Sequence, residues 1–144
     1  MCFVVREGGE AEALPRNHSA HDFGAAVLAL AEVGVAVIRM GATNCTPMEL
    51  RHNLVFDYAN SGNRSELVDI YLSANCHFTM STISGPDALT LVFRRPAPYV
   101  EVAHYGLALS GISLTMWIPA RLKDMTTFNN LSLTESLTRG IGWY

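Results

Sequence analysis

Two arginines each close a short apolar run, Arg6 in "CFVVR" (2–6) and Arg39 in "VAVIRM" (35–40), and Glu7 and Gly41 stand just beyond them. A third apolar run, in "HFTMST" (77–82), gives way to Ser81, Thr82, Ser84 and Gly85 ahead of Pro86. A guanidinium binds phosphate or carboxylate through paired N–H donors. Small hydroxyl residues and glycine before a helix leave its first N–H groups free, and the helix dipole adds attraction for an anion. Brought together, these residues could hold a phosphate. Each also has a plainer reading. Ser84 or Gly85 followed by Pro86 is an ordinary helix start, with Asp87 complementing the dipole in the first turn. Arg39 could be held in an ion pair with Asp57 or Asp69.

Other chemistries find little support. His18 and His21 are three residues apart, but no third ligand at metal spacing accompanies them, so no metal site is expected. No G-x-S-x-G elbow, Walker loop or G-x-G-x-x-G follows any apolar run, which disfavours a hydrolase, a P-loop NTPase and a dinucleotide-dependent oxidoreductase. Cys2, Cys45 and Cys76 are odd in number and widely spaced, as expected of reduced thiols rather than a disulfide framework. The net charge of −3 and the scattered cations lack the basic stripe that nucleic acid requires. Arg94 and Arg95 suit the C-terminal end of a helix.

The elements that must position these residues alternate along the chain. Its 144 residues suit one domain with one core. No run approaches the roughly 18 apolar residues of a membrane span, and no signal peptide is evident, so a cytoplasmic protein is expected, at most peripheral to a membrane. "SAHD" (19–22) resembles a capping box, and Phe23, Val27, Leu30 and Gly34 follow at helical spacing. "LVFDY" reads as a brief strand, and "NRSELVDIYLSAN" as a helix with Leu67, Ile70, Tyr71 and Ala74 on its apolar face. "PDALTLVF" reads as the next helix, "APYVEVA" and "SLTMWIP" as strands, and "SLTESLTRG" as a short helix stopped by Gly140. Strands alternating with helices predict a doubly wound, mostly parallel α/β sheet. Such sheets bind ligands beyond the carboxyl ends of their strands. The two arginines and the Ser/Thr/Gly turn therefore share one rim, a convergence that a helix cap does not explain.

In order and spacing, "CFVVRE", "RNHSAHDF", "VAVIRMG", "DYANSGNRSELVDIYLSANCHFTMSTISG", "FRRPAPYVEV" and "SLTMWIP" resemble the carboxy-terminal half of a bacterial glycosyltransferase family associated with surface polysaccharide loci. The resemblance covers nearly the whole chain. More distantly, "LVDIYLSANCHFTMSTISG" and "VVRE" are similar to the phosphate turn and the arginine-ended strand of fucosyltransferases. That resemblance implies a GT-B enzyme of two Rossmann-like lobes, with residues 1–144 as the lobe that holds the nucleotide-sugar. It implies that Arg6 pairs with the donor diphosphate and that Thr82, Ser84, Gly85 and, more weakly, Ser81 donate to the same phosphates. Arg39 and Gly41 would line the adjoining crevice, and Asp69 would either cap a loop or contact base or ribose. Arg16 and Asn17 match an Arg-Asn pair with either an acceptor-side or a loop role. Glu7 is the nearby carboxylate nominated as general base. No cofactor or obligatory metal is implied; the partners would be a nucleotide-sugar and a glycan or lipid-linked acceptor. The chain departs from the pattern in carrying Val4 where fucosyltransferases have His, and in beginning at the first strand of the donor lobe. It is therefore expected to be a shortened form without the acceptor lobe, leaving an inter-lobe face open to self-association.

Overall fold

Apolar runs of three to six residues flanked by polar turns become strands; the central ones, Cys2–Val4 and Thr79–Ser81, are buried on both sides, as a helix-covered parallel sheet demands, whereas the edge runs Val55–Asp57 and Thr115–Pro119 are partly exposed. The computed structural model describes residues 1–8, 17–42, 45–107 and 114–141. Its strands are β1 (Cys2–Val4), β2 (Val37–Met40), β3 (Val55–Asp57), β4 (Thr79–Ser81), β5 (Ala97–Val102) and β6 (Thr115–Pro119). They form one six-stranded sheet of order β3-β2-β1-β4-β5-β6, and every pairing is parallel. This is the Rossmann-like, doubly wound arrangement. The order reverses between β1 and β4: from β1 the chain moves outward to β2 and β3, then returns across the sheet to β4.

Four helices accompany the strands: α1 (Gly24–Glu32), α2 (Glu66–Asn75), α3 (Asp87–Val92) and α4 (Leu133–Thr138). The "SAHD" box forms, with Ser19 and Asp22 capping reciprocally, but it starts a short 3-10 turn, Ala20–Phe23, that leads into α1. Gly34 ends that segment at φ +87°, a conformation glycine adopts without steric cost.

Alternation along β1 assigns the faces. Phe3 and Val5 join Phe23 and Val27 of the α1 segment, with Val37 and Met80, in one core. Cys2 and Val4 point the other way, to Met40, Tyr58 and the α2 residues Val68 and Leu72. On that second face α2 packs against α3, and Thr90 of α3 bonds Thr79 of β4 at 3.1 Å. The apolar face expected for α2 needs correction. Leu67, Ile70 and Tyr71 are exposed, and the helix instead buries Ser73 and packs the half-buried Val68 and Leu72 against the core. A stripe at four-residue spacing, Val68–Leu72–Cys76, meets the sheet, and Ser73 fits this side because its hydroxyl donates to the Asp69 carbonyl at 2.8 Å. Among the described residues no helix is long and apolar enough to cross a membrane.

Candidate functional site

The first residues beyond β1, β2 and β4 meet at the carboxyl edge of the sheet, where the strand order reverses. They enclose a crevice of about 330 Å³ lined by Arg6 and Glu7 after β1, Gly41 and Cys45 after β2, and Ser84 and Gly85 after β4. The backbone there is tied across the reversal. Thr82 N–H donates to the Val4 carbonyl at 3.2 Å, and Arg6 N–H donates to Thr82 Oγ1 at 2.9 Å. The Thr82 hydroxyl thus extends the β1–β4 ladder by one rung. It is buried and does not line the crevice, so its expected role as a phosphate donor gives way to a structural one.

Arg39 is turned inward. Its side chain is 1% exposed and lies between two carboxylates, with Nη2 donating to Glu7 Oε2 at 2.9 Å and Nη1 reaching Asp57 Oδ2 at 3.3 Å. Nη1 also donates to the Thr46 carbonyl at 2.6 Å. Of the readings open for Arg39, the ion pair with Asp57 is the one realised, joined by an unforeseen pair with Glu7. The crevice role expected of Arg39 is not supported, since the guanidinium is spent inside the protein.

Glu7 is equally committed. Besides Arg39, its carboxylate accepts Ala20 N–H at 2.8 Å and Thr46 N–H at 2.9 Å. A carboxylate holding three donors is a poor general base, which corrects the nomination of Glu7. Asp57 is also well held, accepting Met48 N–H and Asn60 Nδ2, each at 2.9 Å. This network, Glu7–Arg39–Asp57, fixes the ends of three adjacent strands and the loop after β2. Asp69 lies on α2 in an ion pair with Arg64 at 2.8 Å, away from the crevice lining. Arg16 falls outside the described residues.

Arg6 differs from Arg39. Among the described residues its side chain has no ion-pair partner, its Nε has no hydrogen-bond partner, and it lines the crevice. Opposite it is the β4–α3 turn, with Ile83 at φ +60°. Ser84 N–H is taken by Asp87 Oδ2 at 2.7 Å, while Ser84 Oγ lacks a partner. Gly85 is exposed, and a β-carbon added to it would meet nothing within 4 Å. Ser81 is wholly buried and lies below this turn, toward Asp87. The rim assembled from the sequence therefore keeps Arg6, Glu7, Gly41, Ser84 and Gly85 at the crevice. Arg39, Ser81, Thr82 and Asp69 go elsewhere.

Asp87 and Tyr99 were not among the site residues expected. Burial pushes the Asp87 carboxyl above its ordinary value; the Ser81 hydroxyl, close by although outside hydrogen-bond geometry, and Ser84 N–H hold it partly down. Burial and the neighbouring Asp87 push the Tyr99 hydroxyl up to about 12. The proximity of Asp87 to Tyr99 follows from parallel pairing of Ser81 with Tyr99, which no local pattern announces. Among the described residues no group of three or more His, Cys, Asp or Glu is placed to hold a metal ion. Comparison with family models, curated proteins and solved structures finds no match.

Proposed function

We propose that this chain is the donor-binding lobe of a GT-B glycosyltransferase, holding a nucleotide-sugar whose sugar passes to a glycan or lipid-linked acceptor in surface polysaccharide synthesis. One observation carries the reading. An arginine without an ion-pair partner among the described residues, Arg6, faces the Ser84–Gly85 turn across a crevice at the reversal point of a parallel sheet, where ligands of such folds bind. In this role Arg6 neutralises the charge that builds on the leaving diphosphate as the sugar–oxygen bond breaks. Gly85 lets the phosphates approach the backbone, and the Ser84 hydroxyl donates to them. The Glu7–Arg39–Asp57 network holds the rim in place, with Glu7 at the crevice wall.

The commitment of Glu7 to three donors favours a second reading. The lobe then binds nucleotide without turnover of its own, and a base comes from whatever completes the site. Ligand-observed NMR with GDP-, UDP-, ADP- and CMP-sugars, on wild type, Arg6→Ala and Ser84→Ala, tests the donor reading. Selective binding of one nucleotide is expected, with Arg6→Ala weakening it by about tenfold or more, as loss of a charge-assisted contact does. Binding unchanged in Arg6→Ala, or none to the folded chain, refutes it. Release of free sugar by the isolated chain, lost in Arg6→Ala, would favour catalysis over binding alone.

A further inference from the structure

The β4–α3 turn has a second cavity on its other side, about 260 Å³ in volume, between α3 and β5. Ser84, Asp87 and Tyr99 line it, with Ile83, Ala88 and Leu91 supplying apolar wall. Among the described residues, Ser84 Oγ, Asp87 Oδ1 and Tyr99 Oη are all secluded from bulk water and lack a hydrogen-bond partner. Asp87 is 6% exposed and Tyr99 3%. Buried polar atoms in folded proteins nearly always have partners, so three orphans around one cavity indicate a missing one. A cap explains only Asp87 Oδ2, which accepts Ser84 N–H, and the Ser81 hydroxyl lies beside the carboxyl but outside hydrogen-bond geometry; neither accounts for the Tyr99 hydroxyl.

We infer that this cavity is a binding subsite for an uncharged ring presenting a hydrogen-bond donor beside an acceptor, the donor to Asp87 and the acceptor to the Tyr99 hydroxyl. The lining disfavours an anion, because no cation is among the residues around the cavity. It also disfavours a cation, because burial raises the cost of ionising Asp87. Ser84 and Gly85 belong to both this cavity and the Arg6 crevice. A single ligand can thus span the turn with its anionic part at Arg6 and its neutral ring at Asp87 and Tyr99. Resting on the donor-lobe reading, this assigns the ligand's polarity: the ring is the nucleobase or the sugar, and the phosphates lie on the Arg6 side.

Isothermal titration of wild type, Arg6→Ala and Tyr99→Phe with uridine, guanosine, glucose and mannose, and with UDP, GDP, UDP-glucose and GDP-mannose, separates the two ideas. Tyr99→Phe removes an unpartnered buried hydroxyl, so its melting temperature should equal or exceed that of wild type. The expected result is a loss of about tenfold in Tyr99→Phe for the ligands carrying the recognised ring, with or without phosphate. Arg6→Ala should weaken only the phosphate-bearing ones. A nucleoside response identifies the ring as the base, and a monosaccharide response identifies it as the sugar. If Tyr99→Phe is folded and binds every ligand as wild type does, or if no ligand binds, the subsite is refuted. Tyr99-dependent binding of the uncharged ligands with no gain from phosphate would instead overturn the donor-lobe reading and leave the subsite standing.

Discussion

Replacing Arg39 with methionine should separate the two strand-end arginines by their roles. Methionine fills much of the same volume but leaves Glu7 and Asp57, whose side chains are 11% and 19% exposed, facing each other without the guanidinium between them. It also strips the Thr46 carbonyl of the Nη1 donor. Removing one partner of a buried ion pair costs about 3–5 kcal/mol. Here both carboxylates keep backbone donors, from Ala20 and Thr46 for Glu7 and from Met48 for Asp57, and both retain some solvent. The loss should therefore fall near the lower end, about 3 kcal/mol, a drop of about 6–12 °C in melting temperature for a chain of this length. Arg6→Met, which breaks no ion pair among the described residues, should change stability by no more than about 0.5 kcal/mol. Urea unfolding followed by circular dichroism measures both. An Arg39→Met protein within about 1 kcal/mol of wild type, or an Arg6→Met protein as destabilised as Arg39→Met, would refute the division between a structural and a ligand-facing arginine.

The buried Tyr58 hydroxyl accepts Ser65 N–H at 2.9 Å and donates to the Ser65 carbonyl at 3.2 Å, so Tyr58→Phe should cost about 1–3 kcal/mol by urea unfolding; an unchanged midpoint would show that water replaces both bonds. The Cys76 thiol is drawn down, chiefly by the Cys2 thiol beside it, whereas burial raises Cys45. Iodoacetamide at pH 7 should therefore label Cys76 before Cys45, and Cys2→Ala should narrow the preference; peptide mapping reads the order, and labelling of Cys45 first would contradict it. Because its folded-state value is raised, Asp87 binds a proton more tightly in the folded protein than in the unfolded chain. Its stability contribution is present below the unfolded value, about 4, and is lost as pH rises through the folded one. The stability of Asp87→Asn relative to wild type should thus be greatest at neutral pH and fall on acidification, and a gap that is flat or widens toward pH 4 in urea titrations would falsify the assignment.

The sheet was legible because buried parallel strands and capped helices leave local marks. Val37–Met40 reads as apolar on both faces, Ser19 and Asp22 form the expected box, and Gly34 stops the helix segment as a φ of +87° requires. Where the rim residues would point was not legible, since each lies within about four positions of a strand end and register decides the matter. Arg6 and Arg39 look alike in the sequence, each a cation closing an apolar run. β1 ends at Val4, so Arg6 lies beyond the ladder, whereas Arg39 is still paired within β2, opposite Phe3 and Asp57. That pairing brings Asp57 beside it and drives the guanidinium inward. The α2 stripe failed for a related reason. Leu67, Ile70 and Tyr71 are the more hydrophobic set, yet the crossover from β3 to β4 fixes the helix rotation that seats Val68 and Leu72 on Val4 and Met40. Asp87 is the sharpest case. In the sequence it is an acidic residue in the first turn of a helix, fully accounted for by the dipole, and one of its oxygens does serve that turn through Ser84. The other lacks a partner in a cavity that exists only because β5 brings Tyr99 alongside, a coincidence of long-range pairing that no local rule can encode.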